Sequence, residues 1–171
     1  MDDIVQTFAE RLPDATPDEL FAGLHELCDA TLGVRLFTCS RFDIAAGKAE
    51  RIYTSDPDAY PLTGLKDIVP NRWTRIVLDD RQPFLSETIE GLRDVFPDHE
   101  KIEALGLGAA INLPVIVCGN ILGTANLLDV DHKYTEDARR LLPPLTTCAA
   151  LAFLGYLSIE RAFSRRTGAY V

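Results

Sequence analysis

In the run FPDHEKI, His99 stands between Asp98 and Glu100, just after Pro97. An imidazole beside a carboxylate can serve as a hydrogen-bond partner or as a general acid or base, because its charge changes near neutral pH. Asp98 at a helix start can equally do no more than cap it. Upstream, YTSDPDAYPLTGLK sets Tyr60 and Lys66 among turn residues, and Lys66 or the later Arg75 offers a cation to an anionic group or to solvent. Aromatic residues gather in the same middle stretch. The candidate ligand-binding set is Tyr53, Tyr60, Lys66, Trp73, Phe84, Phe96, His99, Asn112 and Asn126. Aromatic walls with a few converging polar groups are the usual make-up of a small-molecule site, and aromatic residues in such numbers also build cores. His99 is the one candidate for catalysis, with Asp98 or Tyr60 as its partner.

The elements that must position these residues follow from pattern. Thr16 and Pro17 open a helix whose Leu20, Leu24, Leu27, Cys28 and Leu32 recur at three or four residues, and Gly33 ends it. VRLFTCSRFDI alternates, with Leu36, Thr38, Ser40 and Phe42 on one side and Phe37, Cys39 and Arg41 on the other; RIYTS completes a hairpin. Residues 56–70 read as a surface loop, long enough to suggest a task. A short helix near Trp73–Asp79, a strand at Pro83–Ser86 and two helical pieces broken at Pro97 follow. AINLPVIVCG and NILGTANLLDV form a second hairpin about Gly119-Asn120, and Asn126 shares a face with Leu128. Thr135 caps a long final helix interrupted at Pro143-Pro144. The order implies an α+β fold, an antiparallel sheet with its terminal helices on one face.

Composition narrows the function. A chain of 171 residues with 47% apolar and 25% charged content fits one domain. A net charge of -9 disfavours nucleic acid and anionic membranes as partners. Arg139, Arg140, Arg161, Arg165 and Arg166 read as solvated helix faces. Cys28, Cys39, Cys118 and Cys148 share no metal-binding spacing, so neither metal nor cofactor is expected. They and the acidic start MDDIVQTF favour the cytoplasm, with Cys118 the most exposed thiol. The apolar run Leu145–Ile159 is shorter than the roughly 20 residues that cross a bilayer, and reads as a helix buried against protein.

INLPV, two residues, GNILGTANLLD and then YTEDARRLL resemble a GAF domain, in which an apolar strand ending in Pro-Val meets a G-x-x-x-G strand and an aromatic-Thr-x-x-Asp cap opens the last helix. The likeness covers about 18–154, with a helical extension to about 166. It implies a GAF-like sheet carrying the N- and C-terminal helices on one face and an irregular ligand-side segment on the other. It also implies a stand-alone sensor that binds a small molecule and dimerises through its terminal helices. Gly123 would let two strands approach closely and Tyr134 would anchor the loop. GAF-type methionine sulfoxide reductases need cysteines in the middle segment, and none stands between Arg51 and Leu113. Bilin-attaching cysteine arrangements are lacking, and of the cyclic-nucleotide pattern only YTED remains. Two alternatives stay open: a small GAF-fold enzyme using His99, and an interaction module whose pocket is filled by side chains.

Overall fold

A computed structural model describes residues 2–62 and 64–167. Helices α1 (Asp2–Arg11) and α2 (Pro17–Leu32) precede strands β1 (Leu36–Asp43), β2 (Lys48–Thr54) and the two-residue β3 (Lys66–Asp67). Then come α3 (Arg72–Thr74), running into a π-turn at Arg75–Asp79, β4 (Phe84–Ser86), α4 (Glu90–Arg93) and α5 (His99–Ala104). The chain closes with β5 (Ala109–Val117), β6 (Asn120–Asp129), a 3₁₀ turn at Glu136–Leu141 and α6 (Leu142–Thr167). The six strands form one antiparallel sheet in the order β3-β2-β1-β6-β5-β4.

Alternation sends each sheet face to a different layer. Phe37, Cys39, Ile111, Leu113, Ala125 and Leu127 face the helices α1, α2 and α6. Phe21 of α2 anchors that layer, its ring 5.4–5.8 Å from Phe153, Tyr156 and Tyr53. Removing such a buried ring costs about 3–5 kcal/mol. The other face carries Leu36, Ala110 and Leu128 under Val77, Phe84, Leu92 and Ile102 from the α3–α5 segment.

The expected caps and close approaches explain most boundaries. Thr16 and Glu19 form a reciprocal capping box, and Gly33 takes φ 76 at the end of α2. Gly123 has no room for a side chain: a Cβ there would lie 2.0 Å from the carbonyl oxygen of Ser40. Tyr134 is buried and its hydroxyl donates to Gly33 O at 2.7 Å, tying the last loop to the end of α2.

Four expectations are corrected. The second hairpin turns at Cys118-Gly119, both with positive φ as a type I′ turn demands, and Asn120 already pairs with Val117. Pro143 and Pro144 do not interrupt a helix: they sit in the first turn of α6, where missing N–H groups are tolerated, and a 3₁₀ turn precedes them. Thr135 has extended backbone geometry but makes no side-chain cap bond. Helix α1 and strand β3 lie in stretches that the sequence pattern left without structure. The helical run Glu136–Glu160 is also longer than the Leu145–Ile159 segment and apolar enough by composition to cross a membrane. Its inner residues Leu145, Cys148, Ala149, Ala152 and Phe153 are nevertheless packed into the helix-side core. The side chains of Arg161, Arg165 and Arg166 lie outside the described ones.

Candidate functional site

A cavity of about 310 Å³ lies between the sheet and the α3–α5 segment, with β3 along its rim. That volume is at the small end for a ligand pocket and suits a molecule of one or two rings.

Strand register builds its floor. Asn112, Asn126 and Thr38 are direct neighbours across β5, β6 and β1, all on the face away from the helices. Trp73 Nε1 donates to Asn112 Oδ1 at 2.9 Å, and Asn112 Nδ2 donates to Asn126 Oδ1 at 2.8 Å. Asn126 Nδ2 in turn donates to Thr38 Oγ1 at 3.1 Å and approaches Ser40 Oγ at 3.5 Å. This relay satisfies two nearly buried amides and sets their orientation. A hydroxyl that accepts from the relay keeps its own proton to donate, so Thr38 and Ser40 offer donors to the cavity, beside the Thr124 hydroxyl.

The walls are aromatic and the rim is charged. Trp73 packs edge-on against Phe42 and tilts toward Phe96, with ring centres 6.0 and 6.3 Å apart. Asn71 caps α3 through a reciprocal bond with Thr74 and donates to Val95 O at 3.0 Å, which fixes the Trp73 turn. Opposite them Tyr60 is buried; its hydroxyl donates to Asp98. The Arg51 guanidinium stacks 3.9 Å from the Tyr60 ring centre and its Nη1 donates to Pro61 O at 2.6 Å. Burial, reinforced by the Asp98 charge, pushes the Tyr60 phenol well up, so it stays protonated at neutral pH. Tyr60 is thereby a donor and not a base.

Six of the nine expected site residues line this cavity: Tyr60, Lys66, Trp73, Phe96, Asn112 and Asn126. Three do not. Tyr53 lies on the helix face against Phe21 and Phe37. Simple alternation would put it on the same face as Arg51, but a bulge opposite Cys39/Ser40 inserts one residue and turns it over. Phe84 is 1% exposed and lies behind Phe96 in the core. His99 points its Nδ1 at Phe96 O, 3.0 Å away, outside the cavity lining. Residues the sequence reading passed over include Arg51, Asn71 and Thr124, together with Thr38 and Ser40. For these last two the signal was present: two hydroxyls on one strand face between Leu36 and Phe42.

No family model and no curated protein matches the sequence. Solved structures do match. The GAF domain of a phosphoenolpyruvate-protein phosphotransferase from Coxiella burnetii superposes with TM-score 0.62 at 15% identity, over 98% of this chain and 96% of that one. The GAF domain of a two-component sensor histidine kinase from Bacillus halodurans gives 0.64 at 12% identity, over 85% of this chain and 98% of that one. Free methionine-R-sulfoxide reductase from Neisseria meningitidis, in complex with its substrate, gives 0.61 at 13% identity, over 91% and 89%. The chain therefore has the GAF fold, as its strand and cap motifs indicated.

Proposed function

We propose that this chain is a small-molecule-sensing domain that holds a metabolite between the sheet and the α3–α5 segment. The observation that carries the reading is the cavity itself: about 310 Å³ of space over a preordered amide relay, walled by Phe42, Trp73 and Phe96. A cavity that size argues against an interaction module with side chains filling its pocket. The enzyme alternative loses His99, which does not line the space, and Tyr60 is held protonated; of its residues only Asp98 also borders the cavity, and it already accepts from the Tyr60 hydroxyl. The unpaired, mostly buried thiols suit a reducing cytoplasm.

The same reading includes a symmetric homodimer through the terminal helices. Only 33% of the apolar window in Glu136–Glu160 is buried, and Leu141, Leu154 and Ile159 expose their side chains. A second copy would cover part of that exposed apolar surface. Native mass spectrometry tests both parts. A two-chain species carrying extra mass that is lost on denaturation is the expected result. A monomer that retains nothing and shows no melting shift with any member of a metabolite panel would overturn the proposal.

A further inference from the structure

Resting on that reading of the cavity, we propose that its ligand is a small aromatic carboxylic acid, with the carboxylate on Arg51 and the ring among Phe42, Trp73 and Phe96.

The charge pattern points there. Most arginines in this acidic chain meet carboxylates, as Arg11 does Glu26 at 2.7 Å, Arg41 Glu50 at 2.7 Å, Arg72 Asp94 at 3.0 Å and Arg93 Glu103 at 3.2 Å; Arg75 and Arg81 have no such partner among the described residues, but unlike Arg51 neither lines the cavity. Among the described residues no carboxylate forms an ion pair with Arg51, despite 26 acidic residues in the sequence. Its guanidinium is nonetheless fixed, with its face on Tyr60 and one N–H on Pro61 O. A planar donor fork held in place beside a cavity is preorganised for a carboxylate. Asp98 is also at this wall, but the Tyr60 hydroxyl donates to it, and Lys101 Nζ flanks the same ring at 5.4 Å from its centre. Lys66 adds a further cation to the rim, while its neighbour Asp67 is held by Lys48 at 2.7 Å. Two cations, Arg51 and Lys66, and two carboxylates, Asp67 and Asp98, line the cavity, but both carboxylates already have donors within the protein, whereas Arg51 has no carboxylate partner among the described residues.

The remainder of the space selects the body of the ligand. Three aromatic side chains form one wall, and a ring bound there gains edge and face contacts that an aliphatic body does not. The Thr38, Ser40 and Thr124 hydroxyls on the floor suit a polar ring substituent.

Calorimetric titration of the wild-type protein with 4-hydroxybenzoate, 4-hydroxybenzamide and cyclohexanecarboxylate separates charge from ring. Trp73, the sole tryptophan, reports by its emission whether binding occurs in the cavity. The aromatic acid is expected to bind at least tenfold more tightly than either analogue and to change Trp73 emission. Arg51→Gln is expected to erase the preference for acid over amide and to leave amide binding intact. Equal affinity for acid and amide, equal affinity for the cyclohexane acid, silent Trp73, no acid binding, or an undiminished preference in Arg51→Gln would each overturn the inference. The wild-type comparison holds whether or not the variant folds. Failure here leaves native-state metabolite retention unaffected, so it is distinguishable from failure of the sensing reading.

Discussion

Asn112→Leu removes the centre of the floor relay without changing side-chain volume much. Asn112 is 4% exposed and serves both neighbours, accepting from Trp73 Nε1 and donating to Asn126 Oδ1. The leucine leaves an indole N–H and an amide oxygen unpaired, and each such group costs about 1–3 kcal/mol when buried. Both border a space that admits water, so the lower part of the range applies, about 2–3 kcal/mol together. The added apolar surface offsets roughly 1 kcal/mol of this. The expected net loss is about 1–2 kcal/mol, or a fall in Tm of about 2–8 °C for a domain of this size. Asn112→Asp is the sharper case: it keeps an acceptor for Trp73 but sets a carboxylate oxygen against the carbonyl of Asn126, with a charge at a nearly buried site. It should cost more than leucine. Thermal and urea denaturation, followed by circular dichroism and Trp73 emission, measure both. Wild-type stability in Asn112→Leu, or an aspartate variant no weaker than the leucine one, would refute the relay as a structural unit.

Other consequences are as direct. Gly123→Ala places a Cβ 2.0 Å from Ser40 O and 2.6 Å from the Phe153 ring, so β1 and β6 must part; about 1–3 kcal/mol should be lost in urea denaturation, and a neutral variant would contradict the strand spacing. Native thiol labelling should modify Cys118 quickly and spare the other three, because Cys28 and Cys39 are buried and burial pushes the Cys28 thiol up to about 12; fast reaction of more than one thiol would count against this packing. His25 stacks on Phe37 with ring centres 5.2 Å apart and an unpartnered buried Nε2, and burial lowers its pKa despite Asp29 and Glu26. The unfolded chain then binds the proton more readily, so stability should fall as pH drops below about 6.5 toward the folded value, and His25→Phe should flatten that decline.

Local chemistry made most elements legible. The Thr16-Pro17 cap, the alternation of β1 and the glycine closing α2 are decided within a few residues of themselves, so type and spacing suffice. Tyr134 and Gly123 were legible for the same reason, since each marks a motif of fixed spacing. What escaped depends on partners distant in sequence. Strand β3 exists because Lys66 and Asp67 find β2, and nothing within DPDAYPLTGLKD announces two paired residues. Tyr53 was misplaced because a bulge against Cys39/Ser40 reverses its side, while Arg51, paired with Ser40, stays on the cavity face. His99 looked reactive beside Asp98, but Asp98 is engaged by Tyr60, which lies 38 positions earlier.

The strand that floors the cavity also bears on α6. Ser40 and Phe42 face the cavity, while Arg41 between them faces the helices, where it bonds Glu50 at 2.7 Å and Glu160 at 2.9 Å. Glu50 is the neighbour of Arg51 on β2, and Glu160 also accepts from Tyr156 on its own helix at 2.8 Å. Any shift of Ser40 or Arg51 on ligand binding therefore moves an arginine and a glutamate that together hold the far part of α6. These side chains are only about one-third exposed, so water screens the bonds less than at an open surface. Arg41→Gln should speed hydrogen exchange at the Tyr156–Glu160 amides while leaving the cavity floor and its Trp73 emission as they are. If exchange there is unchanged, the helix is held by its apolar face alone and the arginine carries nothing across the sheet.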